Sequence, residues 1–154
     1  MNAPPVTRLD EADWRVFATL RLRALTDTLG TLDPQYRQEM TFTAAQWRRR
    51  LRAHAQFVAR ADGHLVGLIG AQRDTAESVY LYSLWLEPAA RGRGLGMALV
   101  SAALDWARSQ SARVVTLRVD PTNAAARAVY ETLGFDVIDT AGKANEITMS
   151  LKVG

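Results

Sequence analysis

Three glycines alternate through the hexapeptide Arg91-Gly92-Arg93-Gly94-Leu95-Gly96, between a strand-like run that ends at Glu87-Pro88 and an amphipathic helical run. Glycines crowd together where backbone takes positive φ or must approach something closely. A helix that starts directly after them turns its first unpaired N–H groups back into the loop. With the positive end of the helix dipole, those groups form an anion site, and the flanking arginines add charge. The hexapeptide therefore demands a strand–loop–helix unit and predicts a phosphate-bearing ligand.

The 154 residues suit one domain with a substantial core. At 48% hydrophobic and 23% charged, the chain reads as an ordinary globular protein. Cysteine is absent, and neither His54 nor His64 has a partner at metal-ligand spacing, so we expect no disulfide and no metal. The net charge of +3 is carried almost wholly by arginine. Signatures of nucleic-acid binding are missing, and no apolar run has membrane-spanning length. Residues 1–5 lack a basic start and an apolar stretch; we expect a flexible tail there, a single domain over 6–154, and a cytoplasmic protein.

The pattern along the chain predicts a strand at 6–9 and a helix from Trp14, with Phe17, Leu20, Leu22 and Leu25 near helical period. Gly30 and Asp33-Pro34 break it, and residues 26–40 are expected to be a long loop. Thr43 caps a helix over 44–53. Strands follow at 56–60 and 65–72, joined by an Asp62-Gly63 turn, and at 79–86. After the glycine loop, Leu95, Leu99, Ala103 and Trp106 mark a helix stripe. A strand at 113–119, a helix from Asn123 to about Leu133, and strands at 135–139 and 146–153 complete the chain. The expected fold is a single α/β (α+β) domain in the order β-α-α-β-β-β-α-β-α-β-β, a mixed, mostly antiparallel sheet of six to seven strands with about four helices.

Spacing separates the glycine loop from its commoner relatives. A P-loop needs Lys after its last glycine, and a dinucleotide fingerprint needs glycine where Met97 stands. What remains, Arg91-x-x-Gly94-x-Gly96, resembles the acetyl-CoA loop of the GNAT acetyltransferase superfamily. The stretch Leu84-Trp85-Leu86-Glu87-Pro88 is similar to the strand that leads into that loop, and Asn123-Ala124-Ala125-Ala126-Arg127 through Tyr130-Glu131 to Gly134-Phe135 resembles the family's later motif.

The resemblance implies acetyl-CoA as acyl donor, with its pyrophosphate on the backbone of Arg91, Gly92, Arg93, Gly94, Leu95, Gly96 and Met97. A side chain at 94 or 96 should then stand in the ligand's way. Leu84, Trp85 and Leu86 would offer backbone groups to the pantetheine, where their strand splays from a parallel neighbour. Asn123, Ala126 and Arg127 would complete the donor site, and Tyr130 would be the general acid toward the leaving thiolate. Asn123, Arg127 and Tyr130 fall along one helix face by their own spacing. Transfer to a primary amine by direct attack in a ternary complex is implied; a coenzyme A-binding module without catalysis is the alternative.

Many members carry an acidic base late in the strand before the loop, but here those positions are Tyr82-Ser83. Glu77 is the first substitute, with Asp74 and Glu39 behind it, or Tyr82 or Ser83 positioning a water. Residues 26–40 and the loop around Lys143 would wall the acceptor site, and dimers are common in the family. The acceptor itself is not specified.

Overall fold

A computed structural model describes residues 5–140 and 146–154; the loop around Lys143 and residues 1–4 of the expected tail lie outside the described residues. Pro5 is tied down, its carbonyl accepting from Arg60 N–H at 2.7 Å.

Seven strands form one sheet in the order β1-β2-β3-β4-β5-β7-β6. They are β1 (Val6–Arg8), β2 (Ala55–Ala61), β3 (His64–Arg73), β4 (Ser78–Leu86), β5 (Val114–Val119), β6 (Asp136–Asp139) and β7 (Ile147–Lys152). Five α-helices accompany them: α1 (Trp14–Leu29), α2 (Pro34–Glu39), α3 (Ala44–Ala53), α4 (Leu95–Ser109) and α5 (Ala124–Thr132). Among the described residues only β4 and β5 pair in parallel, joined by the crossover through α4; the other pairings are antiparallel. The expected architecture holds, with one helix more than the pattern showed.

That helix is α2. The expected loop over 26–40 is instead the last turn of α1, a break at Gly30 with φ +86°, and a six-residue helix. Asp33 caps it by accepting from Gln35 N–H at 2.8 Å, and Pro34 stands in the first turn, where a missing N–H costs nothing. The Asp-Pro pair is a helix start, not only a break. Asp62 and Gly63 both take positive φ, as the hairpin turn between β2 and β3 requires.

Two apolar clusters sandwich the sheet. On one face α4 lays down Leu95, Leu99, Val100, Ala103, Leu104 and Ala107 at helical spacing, against Val79, Leu81, Val115 and Leu117. On the other, Phe17 and Leu20 of α1 meet Trp47 and Leu51 of α3 over Val58, Leu68 and Trp85. The Phe17 and Trp47 rings cross edge-on at 5.6 Å. A capping box between Thr43 and Gln46 starts α3.

Strand β4 belongs to both clusters because it carries a bulge. Leu68 pairs with Trp85 and Gly70 with Tyr82, so Ser83 and Leu84 together oppose Ile69. The extra residue shifts the alternation by one. Val79 and Leu81 face α4, whereas beyond the bulge Leu84 and Leu86 face that side and Trp85 turns to α1.

Leu99 is fully buried at the centre of the α4 contact. Leu99→Ala should lower the free energy of unfolding by about 2–5 kcal/mol, read as an earlier denaturant midpoint at unchanged slope.

Candidate active site

The ladder between β4 and β5 runs from Ser78↔Val114 to Leu81↔Leu117 and stops there, although β4 continues to Leu86 and β5 to Val119. Beyond Leu81 the β5-facing backbone of β4 has no strand partner. A cavity of about 470 Å³ opens beside this edge. Its wall takes Leu84, Trp85 and Leu86 from β4, Arg91, Gly92, Gly94, Leu95, Gly96 and Met97 from the loop and α4, and Asn123, Ala125, Ala126 and Val129 from α5. Thr28 of α1 closes it. Thr28 escaped the sequence reading because it fell in the supposed loop.

The loop end has the geometry that can hold an anion. Gly94 sits at the N-cap of α4 with φ +80° and offers no side-chain cap, and the first bond to its carbonyl comes from Ala98 N–H. The first-turn amides of Leu95, Gly96 and Met97 are left as open donors. A Cβ on Gly94 would meet nothing within 4 Å, so the chain itself demands glycine there for conformation, not for space. At Gly96 a Cβ would touch Leu86 and Val129 at 3.6 and 3.7 Å, ordinary contacts, but anything longer would fill the slot.

The arginines take separate tasks. Arg91 donates from Nε to the Leu86 carbonyl at 3.1 Å and from Nη2 to Asp27 at 3.4 Å, fastening the loop to the end of β4. The same Asp27 oxygen accepts from Trp85 Nε1 at 2.8 Å. Arg93 lies outside the cavity wall and pairs with Asp62 of the hairpin turn at 3.2 Å. Arg127 also stays outside, bonded to Glu131 at 3.0 Å, with its buried Nε lacking a partner among the described residues.

Asn123 caps α5, its Oδ1 accepting from Ala126 N–H at 3.1 Å, which leaves its amide N–H₂ for a ligand. Tyr130 is buried against Phe135 rather than exposed on the cavity wall. Its hydroxyl has no hydrogen-bond partner among the described residues, and burial, with a smaller push from Tyr80, raises its pKa to about 12.

The candidate bases fare differently. Glu77 stands at the opposite end of β4, seven residues before Leu84, a span of roughly 20 Å in an extended strand. It is exposed and faces Arg113 at 3.8 Å, and Asp74 lies in the exposed turn at that same end. Glu77 thus lies a strand's length from the open edge of β4. Glu39 is near but occupied. Arg21 grips it with Nε and Nη2 at 3.1 and 3.2 Å, Arg50 at 2.9 Å and Gln35 at 3.0 Å. Burial alone would raise its pKa; the Arg21 bonds and charge, with Gln35 and Arg50, overcome that and hold it below its ordinary value. A carboxylate so held is a poor proton acceptor. Arg21 Nη1 also donates to Ser83 Oγ at 2.7 Å, tying α1, α2 and α3 to the bulge.

Among the described residues no group of acidic, histidine or cysteine side chains could hold a metal ion, and no helix is long and apolar enough to cross a membrane. The acetyltransferase (GNAT) family model matches residues 15–135, spanning helix, bulged strand, glycine loop and Tyr130. The chain belongs to the GNAT family. Over 74 residues it is 42% identical to a mycothiol acetyltransferase of Beutenbergia cavernae, covering 48% of this chain and 25% of that one. The mycothiol acetyltransferase of Acidothermus cellulolyticus is 30% identical over 161 aligned positions, covering 86% of this chain and 47% of the relative. This GNAT chain thus spans about a quarter to a half of the length of these curated relatives. Solved structures share the fold: a Salmonella typhimurium protein assigned as an acetyltransferase, with its cofactor acetyl-CoA, matches at TM-score 0.73 and 23% identity over 100% of this chain and 95% of its own. An aminoglycoside 6'-N-acetyltransferase complexed with coenzyme A matches at 0.75 and 16% identity over 97% of both chains.

The Glu39 cluster yields a prediction with a sign. A depressed carboxylate pKa contributes stability that is complete above the ordinary value of 4.5 and fades as pH falls through the lower folded value. Glu39→Ala should cost about 3–5 kcal/mol at neutral pH, because Arg21 is left buried without its partner. The gap between the unfolding free energies of the two proteins should narrow as pH falls below 4.5 and through the lower folded value.

Proposed function

We propose that this protein transfers the acetyl group of acetyl-CoA to a primary amine by direct attack in a ternary complex. The observation that carries the reading is the single cavity joining the unpaired edge of β4 to the open N-terminus of α4. Coenzyme A matches both ends: its pyrophosphate suits the amides of Leu95, Gly96 and Met97, and its pantetheine amides suit the β5-facing backbone of Leu84 and Leu86, which has no strand partner. The thioester then lies by the bulge, with Asn123 and Tyr130 on the α5 side.

The amine nitrogen bonds to the thioester carbon, the C–S bond breaks, and the sulfur leaves as thiolate. Tyr130, at about 12, keeps its proton throughout the working range. A thiol ionises at about 8.5, so full transfer from such a phenol is uphill. Tyr130 therefore acts first as a hydrogen-bond donor to the developing thiolate, and the proton lost by the nitrogen makes the balance good.

Acetyl-CoA at a hundredfold excess over its Kd should raise the melting temperature by about 5–10 °C, and Gly94→Glu should remove the shift. Free thiol should then appear with at least one amine among amino acids, polyamines, aminoglycosides and peptide N-termini. Tyr130→Phe should lower kcat about 10²-fold while leaving the thermal shift in place. Absence of a shift contradicts the donor site; a shift with no turnover on any amine favours a coenzyme A-binding module.

A further inference from the structure

On the sheet face beneath α1 and α3 lies a polar cluster that donor binding leaves without a task. His54 ends α3, Gln56 follows on β2, and Tyr82 on β4 pairs with Gly70 of β3. The Tyr82 ring fills the space above that glycine, where a Cβ would come within 2.4 Å of its Cζ. Held there, the Tyr82 hydroxyl stands 2.6 Å from Gln56 Nε2 and 2.6 Å from His54 Nδ1. The buried Gln56 amide nitrogen only donates, so it occupies a lone pair of the phenol. The arrangement that satisfies all three groups sends the phenolic proton to His54 Nδ1. His54 is then a neutral imidazole with its own proton on Nε2.

The backbone of β4 links this cluster to the donor cavity, whose wall begins two residues beyond Tyr82, at Leu84. Tyr82 directly precedes Ser83, which takes φ +58° at the bulge. Ser83 and Leu84 line a side cavity of about 140 Å³ that shares Thr28, Leu84 and Trp85 with the donor cavity. The residues at the bulge include no carboxylate, and the buried Glu39 behind them is neutralised.

We propose that Tyr82 and His54 form the proton relay that deprotonates the attacking amine, an inference that rests on the transferase reading above. As the nitrogen bonds to the thioester carbon, its N–H proton passes to Tyr82 Oη, directly or through one water. In the same movement the phenolic proton passes to His54 Nδ1. The N–H and O–H bonds that break are matched by the O–H and N–H bonds that form; the imidazolium returns its proton to solvent, and the leaving thiolate takes one from solvent.

The surrounding charges suit a relay rather than a store. Arg50 of α3, Arg21 of α1 and Glu39 of α2 face Tyr82, and Tyr80 stacks on it at 6.4 Å. Burial raises the Tyr82 pKa; the Gln56 bond and the charges of Arg50 and Arg21 oppose this, Glu39 adds to it, and the phenol stays protonated. Burial, then the charge of Arg50, lowers that of His54, which stays neutral at pH 7 and gives up an acquired proton readily.

The test uses the full chain and the best amine from the panel. His54→Gln keeps an acceptor for the phenol but has no basicity; Tyr82→Phe removes the relaying oxygen. In the wild type, kcat should fall on an acidic limb below the ordinary histidine value of 6.5. Both variants should lose about 10²-fold in kcat on the plateau, with the acetyl-CoA thermal shift unchanged, and His54→Gln should lose that limb. Nitrogen-15 NMR of the wild type should show His54 protonated on Nε2 alone at pH 7. A wild-type rate and unmoved limb in His54→Gln, or an Nδ1–H tautomer, overturns the relay while the transferase reading stands. A wild type that releases no thiol with any amine overturns both.

Discussion

The parallel pairing of β4 with β5 ends at Leu81↔Leu117, and the bulge, the cavity and the glycine loop are grouped around that end. Up to it the strands satisfy each other's backbone; past it β4 carries groups that only a ligand, water or side chain can pair. The bulge at Ser83 sits just beyond. Its left-handed φ costs on the order of 1–3 kcal/mol for a residue with a Cβ. The bond from Arg21 to Ser83 Oγ and the burial of Trp85 against α1 help to offset that cost. By adding one residue the bulge also sends Trp85 to one face and Leu84 and Leu86 to the other. The strand end thus serves the α1 cluster, the α4 cluster and the cavity together.

Charge fixes the second wall. Two arginines and one carboxylate, Arg21, Arg50 and Glu39, are packed beneath a six-residue helix too short to hold itself in water. Anchoring α2 through Glu39 places it against α1 and over the bulge. The cluster carries one net positive charge next to Tyr82 and His54; its Arg50 adds to the lowering that burial imposes on His54 and opposes the raising that burial imposes on Tyr82. A feature that reads as plain arginine richness along the chain thus becomes, in the fold, a local field beside Tyr82 and His54.

Much of this was legible before folding, for physical reasons. The Leu95, Leu99 and Ala103 stripe became the buried face of α4, because helical period alone decides which side of a helix packs. Asp62-Gly63 gave its turn since few residue pairs tolerate two positive φ values. The glycine crowding signalled positive φ or close approach, and Gly94 takes the first, as a left-handed cap before α4. Where reading failed, tertiary structure had overridden local pattern. Asp33-Pro34 signals both a break and a helix start, and only packing of Glu39 against Arg21 selects the second. The bulge breaks strand parity, so alternation could not tell that Tyr82 and Trp85 share a face. Glu77 just precedes β4 and Leu84 lies near its far end, and sequence proximity hid the length between them. The His54, Gln56 and Tyr82 cluster joins a helix end and two strands that no short motif connects.

The central claim is that a single seat, made by the open edge of β4 and the bare N-terminus of α4, receives the acyl donor. Amide hydrogen exchange with and without acetyl-CoA measures this most directly, since it reports on the very N–H groups invoked. The account predicts slowed exchange at Leu84 and Leu86, in the β4 edge, and at Leu95, Gly96 and Met97, with the Asp74–Glu77 end of the strand unchanged. Protection confined to other segments, with those amides exchanging as before, would contradict it.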